Sequence, residues 1–366
     1  MKLHDIITAF EKKIPLSLQE EWDHSGLNLG SANTNITSVL FSYDICLESI
    51  AAAKNKKCQL IISHHPFRMR ADVNLDLDSY EGRIITECLK NGIALYSAHT
   101  NHDASEHSLN FHYLKKLGLT NIRPLKPINA ELYKLVVFVP RQNTTQVMDA
   151  LFEAGAGGIG PYSECSFRAA GIGTFKGDDT TNPTIGKKNK RESVDEERLE
   201  MIVPAAKLPG AIKAMLAAHP YEEAAYDLFK LIKTRNDLGL GAYGDFAKPI
   251  SQNDIVKKLK ALFRVQTIRF VDGGKKSYRR VGICTGSGSS LMAKAKSAGC
   301  DLFITGDVKY HQAIEARRDD LAIADVGHFH SEIDSVSLLS DLFLDLFDKK
   351  LVLHTYTGLK DAFILK

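Results

Sequence analysis

Several things are scarce in this chain of 366 residues, and each scarcity excludes a class of protein. No apolar run approaches the roughly 20 residues that a transmembrane helix needs. The opening segment, Met1-Lys-Leu-His-Asp-Ile-Ile-Thr-Ala-Phe10, carries a charge at nearly every turn and no apolar h-region, so no signal peptide is expected. The six cysteines (Cys46, Cys58, Cys88, Cys165, Cys284 and Cys300) include no C-x-x-C, and Cys58 and Cys300 lie in apolar strand patterns. They read as buried thiols of a reducing compartment, the cytoplasm, and neither as disulfides nor as zinc ligands. A net charge of +3, evenly spread, argues against a nucleic-acid partner. No serine or cysteine near the candidate cluster sits in a G-x-S-x-G elbow, and the Gly/Ser run 285–290 lacks G-K-[ST] and the full G-x-G-x-x-G, so neither a serine nucleophile nor a phosphate loop is indicated there.

What is present is the make-up of a globular protein, 25% charged and 44% hydrophobic, at a length that suggests two or three domains. An amphipathic helix is expected over 3–13, then an ordered loop, Glu21-Trp-Asp-His-Ser-Gly-Leu-Asn-Leu-Gly30, holding the only tryptophan. Strands are expected at 38–44, 58–63 and 93–98, helices at 47–57 and 81–91 (Gly92 as C-cap), and a loop over 66–80. Strands alternating with helices of this length indicate a parallel sheet of βαβ units. From about 129 the character changes, with strands at 133–139, 199–203 and 224–232 and helices at 145–154 and 208–218. Gly-rich stretches at 155–160 and 171–177 and a polar tract at 176–198 lie between them, and the tract reads as a hairpin excursion or a mobile loop. The order β-α-β-β-α-β fits a ferredoxin-like module. The α/β pattern resumes after about 235: a helix at 255–262 capped by Asn253 or Asp254, strands at 280–284, 301–305 and 321–326, and helices at 310–318 and 330–346. A last strand, 351–357, is expected to close the sheet.

The outer segments resemble each other. Residues 53–63 align without gaps on 295–305, with five of eleven positions identical, so that His64-His65 corresponds to Gly306-Asp307. The cluster His99-Thr-Asn-His-Asp103 likewise has a counterpart in Asp325-Val-Gly-His-Phe-His-Ser-Glu332. The expected architecture is α/β: two pseudo-symmetric βαβ halves, 1–128 and 236–366, form one pair of metal-binding lobes, and a ferredoxin-like α+β domain is inserted at 129–235.

Two imidazoles at the tip of the strand Cys58–Ser63 fall where open α/β sheets bind ligands, and Pro66 stiffens the loop behind them. Asp103, His328 and Glu332 complete a candidate set; the last two are four apart and share a helix face. All are expected at the carboxyl ends of strands in one sheet. Three imidazoles and two carboxylates are too few for two separate ions. A carboxylate bridging two divalent ions about 3.5–4 Å apart, with water at open positions, resolves the count. Nitrogen and oxygen donors without thiolate admit zinc, manganese, iron or cobalt. His99, His102, Asp307 and His311 are weaker candidates, as orienting partners, substrate contacts or ordinary loop residues. The run 285–290 reads as a tight turn before an anion site, His219-Pro-Tyr-Glu-Glu223 as a helix-ending turn before a metal site, and Ser63 as bonded to backbone.

With Trp22-Asp-His-Ser-Gly26, Ile62-Ser-His-His-Pro-Phe67, Ala98-His-Thr-Asn-His-Asp-Ala104, Thr305-Gly-Asp-Val-Lys-Tyr-His311 and Gly327-His-Phe-His-Ser-Glu332 together, nearly the whole chain resembles the Nif-three-like family, also called GTP cyclohydrolase I type 2 homologues. The resemblance implies a toroidal homohexamer with a dinuclear metal centre facing its interior, and ligand positions matching His64, His65, Asp103, His328 and Glu332. It also implies that 129–235 is similar to the PII and CutA-type insert of longer members. His24 and His102 depart from the Asn and Leu often found there. The implied activity is metal-dependent hydrolysis with metal-bound water as nucleophile, on a small-molecule substrate with nucleotides among the candidates; the cyclohydrolase name points to guanine opening at C8. The alternatives are a metal-handling or regulatory hexamer without catalysis, and a metal-dependent phosphoesterase.

Overall fold

The computed structural model describes residues 1–67, 76–128, 132–160, 162–231, 237–348 and 350–363. Residues 68–75 of the expected 66–80 loop, the joints expected near 129 and 235, and Ile232 at the end of an expected strand lie outside the described residues. The chain divides into two compact units, Met1–Ile128 together with Asn236–Lys366, and Asn129–Arg235.

The larger unit holds two sheets. One has five strands in the order Gly26–Leu29, Ala94–Ser97, Leu60–Ser63, Ser38–Ser42, Val352–Thr355; all run parallel except the first, an antiparallel edge. Successive side chains of a strand point to opposite faces, and here both faces are covered. Val39, Phe41, Leu60, Ile62 and Tyr96 pack under helices Leu3–Glu11 and Ser335–Phe347, while Leu40, Ile61 and Leu95 pack under Leu47–Asn55 and Tyr80–Asn91. Burial on both faces explains why these strands read as continuous apolar runs.

The second sheet has six strands in the order Arg269–Val271, Ala322–Asp325, Leu302–Thr305, Ser277–Ile283, Gly239–Ser251, Thr120–Pro127. Its centre is again three parallel strands, with Leu302–Thr305 in the middle. Val281, Leu302, Ile304 and Ala324 face helices Leu109–Leu117 and Gln252–Phe263; Phe303 and Ile323 face the opposite cluster with Ala295 and Ala316.

Several expectations need correction. The candidate residues do not share one sheet: the two halves build separate sheets, and the final strand pairs with Ser38–Ser42 of the first. The Trp22 loop runs into a strand, Gly26–Leu29, because it can pair with the otherwise open edge of Ala94–Ser97. The helix expected over 330–346 is two, His328–Glu332 and Ser335–Phe347. Between them Asp334 is held by Arg264, and its carbonyl accepts from the Ser337 hydroxyl. The cap of Gln252–Phe263 is Ser251, whose Oγ accepts from the Asp254 amide at 3.2 Å. All six cysteines are free, but only Cys58, Cys88 and Cys300 are buried.

The smaller unit runs Leu132–Pro140, helix Thr144–Glu153, Phe167–Phe175, Glu192–Pro204, helix Leu208–Ala218, Tyr226–Leu231. Its four strands form one antiparallel sheet in the order Phe167–Phe175, Glu192–Pro204, Leu132–Pro140, Tyr226–Leu231. Both helices pack on one face against Leu135, Val137, Val139, Leu199 and Met201. The end of the polar tract is therefore strand: pairing begins at Glu192, and residues 176–191 form the excursion.

Candidate metal centre

Parallel strands of both sheets end at the same place. His64 and His65 follow Leu60–Ser63; Asp103 ends a single helical turn, Thr100–Asp103, that follows Ala94–Ser97; His328 and Glu332 bound a single turn after Ala322–Asp325. The Glu332 carboxylate is 4% exposed and lies among the histidines. Its Oε2 is 2.9 Å from His328 Nε2 and 3.3 Å from His65 Nε2, and its Oε1 is 3.8 Å from His64 Nε2. The Tyr43 hydroxyl also donates to Oε2 at 2.9 Å.

Each imidazole is anchored from behind. His64 Nδ1 meets the Ala98 carbonyl at 3.2 Å, His65 Nδ1 the Asp44 carboxylate at 2.7 Å, His328 Nδ1 the Asp307 carboxylate at 2.7 Å and His99 Nδ1 the Asp23 carboxylate at 2.9 Å. An oxygen acceptor on Nδ1 fixes the ring and leaves Nε2 as the free donor atom, which is how metal-ligating histidines are oriented. Asp23 is held in turn by the Ser25 hydroxyl, the Thr100 amide and hydroxyl and the His24 amide.

Three groups of donors come within 4.8 Å of one another: His65, His328 and Glu332; His64, His102 and Asp103; His64, His65 and His99. Buried polar atoms ordinarily find partners, yet His64 Nε2, His102 Nδ1 and Asp103 Oδ1 have none among the described residues. Such orphans, with nitrogen and oxygen donors on every side, fit a divalent cation. Cys284 adds no thiolate: burial, then the charges of Asp103 and Glu332, push its thiol up.

The protonation pattern reflects crowding of like and unlike charge. Burial opposes charge on Glu332, yet the imidazoles of His328, His64 and His65 around it hold its carboxyl well below the usual range. Asp103 goes the other way, raised first by burial and then by the Glu332 charge. His328 is pushed up to about 9 by its bond to Glu332, against burial. For His65 burial works downward, but Asp44 and Glu332 overcome it and carry it to about 10. Burial lowers His64, and lowers His102 to about 3.

All five expected ligand positions thus converge. Of the weaker candidates, His99 and His102 stand inside the donor groups and Asp307 orients His328, whereas His311 is exposed, beside the Tyr310 ring and outside the donor groups of the described residues. The His219 nitrogens are both engaged, by the Phe138 carbonyl and the Tyr221 amide, so that residue forms a turn. Ser63 donates to the His65 carbonyl at 2.6 Å. The 285–290 run makes a turn whose Gly286, at φ +65, lets the backbone approach Glu332: an added Cβ would sit 2.0 Å from Oε1. Sequence reasoning missed Asp44, Tyr43 and Asp23. The available signal was that a third strand, Ser38–Ser42, also ends in polar residues at the same sheet edge.

Parallel strands of two α/β sheets thus end on a shared cluster of histidines and carboxylates that could hold a metal ion. The model of the Duf34/NIF3 (NGG1p interacting factor 3) family matches residues 1–357, and the chain belongs to that family. It is 39% identical over 346 residues to a "GTP cyclohydrolase 1 type 2 homolog" of Halalkalibacterium halodurans, covering 94% of this chain and 93% of that one. To the Bacillus subtilis protein of the same name it is 34% identical over 358 residues, 98% and 96% of the two chains. A solved Bacillus cereus protein related to NIF3 superposes with a TM-score of 0.87 at 34% identity, covering 100% of this chain and 99% of that one. Among the described residues, no helix is long and apolar enough to cross a membrane.

Proposed function

We propose that the chain holds two divalent cations through His64, His65, Asp103, His328 and Glu332 and uses them to hydrolyse a small molecule. The observation that supports this most is the ring of anchored imidazoles around one buried carboxylate, with partnerless atoms at His64 and Asp103. His65 and His328 would hold one cation, and His64 and Asp103 the other. Glu332, whose Oε2 faces His65 and His328 and whose Oε1 faces His64, would be shared between the two sets. Zinc, manganese, iron and cobalt all suit this donor set. Such ions, when bound, supply Lewis acidity and make water acidic enough to attack near neutral pH.

The chain's own groups do the rest. Burial and the neighbouring Glu332 charge raise the Tyr43 phenol, so it stays a donor and steadies the carboxylate. No side chain is placed as nucleophile: the Ser63 hydroxyl is spent on backbone and the Cys284 thiol stays protonated. His99, fixed through Nδ1 by Asp23, offers Nε2 to accept or return a proton. His102, lowered to about 3, stays neutral near pH 7 and is the poorer base. The relatives' printed name makes GTP the first substrate to try.

The same reading takes 129–235 as a ferredoxin-like insert between pseudo-symmetric halves, 1–128 and 236–366, and the assembly as a homohexamer, to be checked by light scattering. Metal analysis after chelation and reloading tests the core of the proposal, followed by a turnover screen of nucleotides and phosphoesters with Glu332→Ala as control. About two ions per chain with metal-dependent turnover supports hydrolysis. Two ions with no turnover favours the metal-handling alternative, and fewer than one ion sinks both.

A further inference from the structure

The polar tract and the 219–223 turn, neither used by the metal site, enclose a cavity of about 620 Å³ within the 129–235 unit. The floor is the sheet face opposite the two helices. Leu199 and Met201 point to the helices, so Glu196 and Arg198 point away, as does Phe138 relative to Val137 and Val139. Across from Glu196 and Arg198 the edge strand carries only Gly171 and Ala169, and these small residues leave the space open. The 176–191 excursion forms the roof and is tied to the far wall. The Thr184 hydroxyl donates to the Pro220 carbonyl at 2.8 Å, and the Asn182 amide donates to the Glu222 carboxylate at 2.9 Å.

The charges within this space are unequal in what they already do. Arg198 is engaged by Glu200 at 2.9 Å. The Glu196 carboxylate lies flat over Gly173, where a Cβ would come within 2.0 Å of its Oε2. Its one hydrogen-bond donor is the Tyr221 hydroxyl, 3.1 Å from Oε1, and no cation pairs with it among the described residues. Glu223, also in the lining, has no hydrogen bond or ion pair among the described residues. Around these carboxylates stand Phe138, Phe175 and Tyr221, the last two with ring centroids 5.9 Å apart. Burial and then the Glu196 carboxylate push the Tyr221 phenol up to about 12, so it remains a donor.

We propose that this cavity binds a small organic cation, a protonated amine on an aromatic or apolar body, with the ammonium on Glu196 and the body against Phe138, Phe175 and Tyr221. A volume of this size suits a small-molecule ligand. An unneutralised carboxylate beside aromatic faces selects positive charge both by pairing and by the ring quadrupoles. Lys176 at the roof and Arg198 on the floor set the rival outcome, recognition of an anion.

The test is calorimetric titration of the full chain with phenethylamine and tryptamine, against neutral 2-phenylethanol and anionic phenylacetate. Saturable amine binding is expected, at least about tenfold tighter than the alcohol. Glu196→Gln should erase that preference. Gly171→Leu should abolish binding by filling the space, and since a Cβ there meets nothing within 4 Å, the fold should tolerate it; unchanged urea midpoints check this. Gly171→Ala, a smaller filler, should weaken binding partly if the leucine variant misfolds. Failure of both amines to saturate, tighter binding of phenylacetate, or amine binding indifferent to Glu196→Gln and Gly171→Leu would each overturn the proposal.

Discussion

The strands Leu60–Ser63 and Leu302–Thr305 each sit in the middle of three parallel strands, and each ends at the same cluster, yet their tips do different work. In the first sheet the tip presents two imidazoles, with the Ser63 hydroxyl tying the chain to the His65 carbonyl. In the second the same two places are Gly306 and Asp307. A Cβ at 306 would lie 2.7 Å from the His328 amide nitrogen, so the glycine makes room for the neighbouring strand end. Asp307, in the left-handed region at φ 56, turns its carboxylate onto His328. One tip supplies donors and the other supplies space and orientation. A site of this kind is built from unlike halves, and the half without donors is no less necessary.

The sharpest way to break that comparison is to remove the group both halves meet. Glu332→Ala should take bound metal from about two ions per chain to near none by elemental analysis, whereas Asp103→Ala should leave one. Equal retention in the two variants would remove Glu332 from the bridging place. Next in size is Gly306→Val. With backbone in the way, it should cost about 2 kcal/mol or more in urea unfolding and also weaken metal binding through His328. A variant as stable as the parent would show that the strand end can shift freely.

Orienting residues should have smaller effects. Asp307→Ala and Asp44→Ala release His328 and His65 in turn and should each lower metal affinity roughly 10–100-fold in competition with a chelator. If only one does, the two tips are not equivalent in what they require of an orienting carboxylate.

A fourth expectation concerns the 129–235 unit, none of whose described residues belongs to the donor groups. The Ile128 amide donates to the Leu238 carbonyl at 3.0 Å, and Pro127 pairs with Gly239, so the ends of a 129–237 excision are already neighbours in one sheet. Joining them by a short turn should leave a folded chain with unchanged metal content. An insoluble or metal-free product would show the insert to be needed for the fold.

The smallest effect is one of pH. Burial works against ionised Asp301, but the Lys275 ammonium and the Arg279 and Arg280 amides hold its carboxyl below the usual range. A depressed folded-state pKa contributes stability that is fully present above the unfolded value of about 4 and is lost as pH falls through the folded one. Asp301→Asn should therefore be less stable than the parent at pH 7, and the gap should close in acid.

Much of this was open to reading because apolar runs and polar strand ends are local signals. Two-sided burial made Ile61-Ile62 and Phe303-Ile304 legible as strands, and His64-His65 as a tip. Sheet membership was not legible, since no local pattern tells Val352–Thr355 which edge it will pair with. The strand beginning at Glu192 was hidden because its first residues are mostly charged, and Glu197 meets Arg168 of the neighbouring strand in an ion pair at 3.5 Å instead of an apolar core. Asp44 and Asp23 were hidden for another reason: a carboxylate that orients a ligand looks, in one dimension, like any loop acid. Only the 2.7 Å and 2.9 Å contacts to imidazoles distinguish them.

The pairing of Val352–Thr355 with Ser38–Ser42 also has a consequence in time. A ribosome delivers His64, His65 and Asp103 long before the residues that complete their sheet, and His328 and Glu332 arrive only shortly before that last strand. Contacts between such distant segments form late and slowly. The first sheet must wait with one edge unpaired, the condition in which nascent chains are most prone to stick to one another. On the proposed function, cation capture would have to wait until His328 and Glu332 are made and this strand has paired.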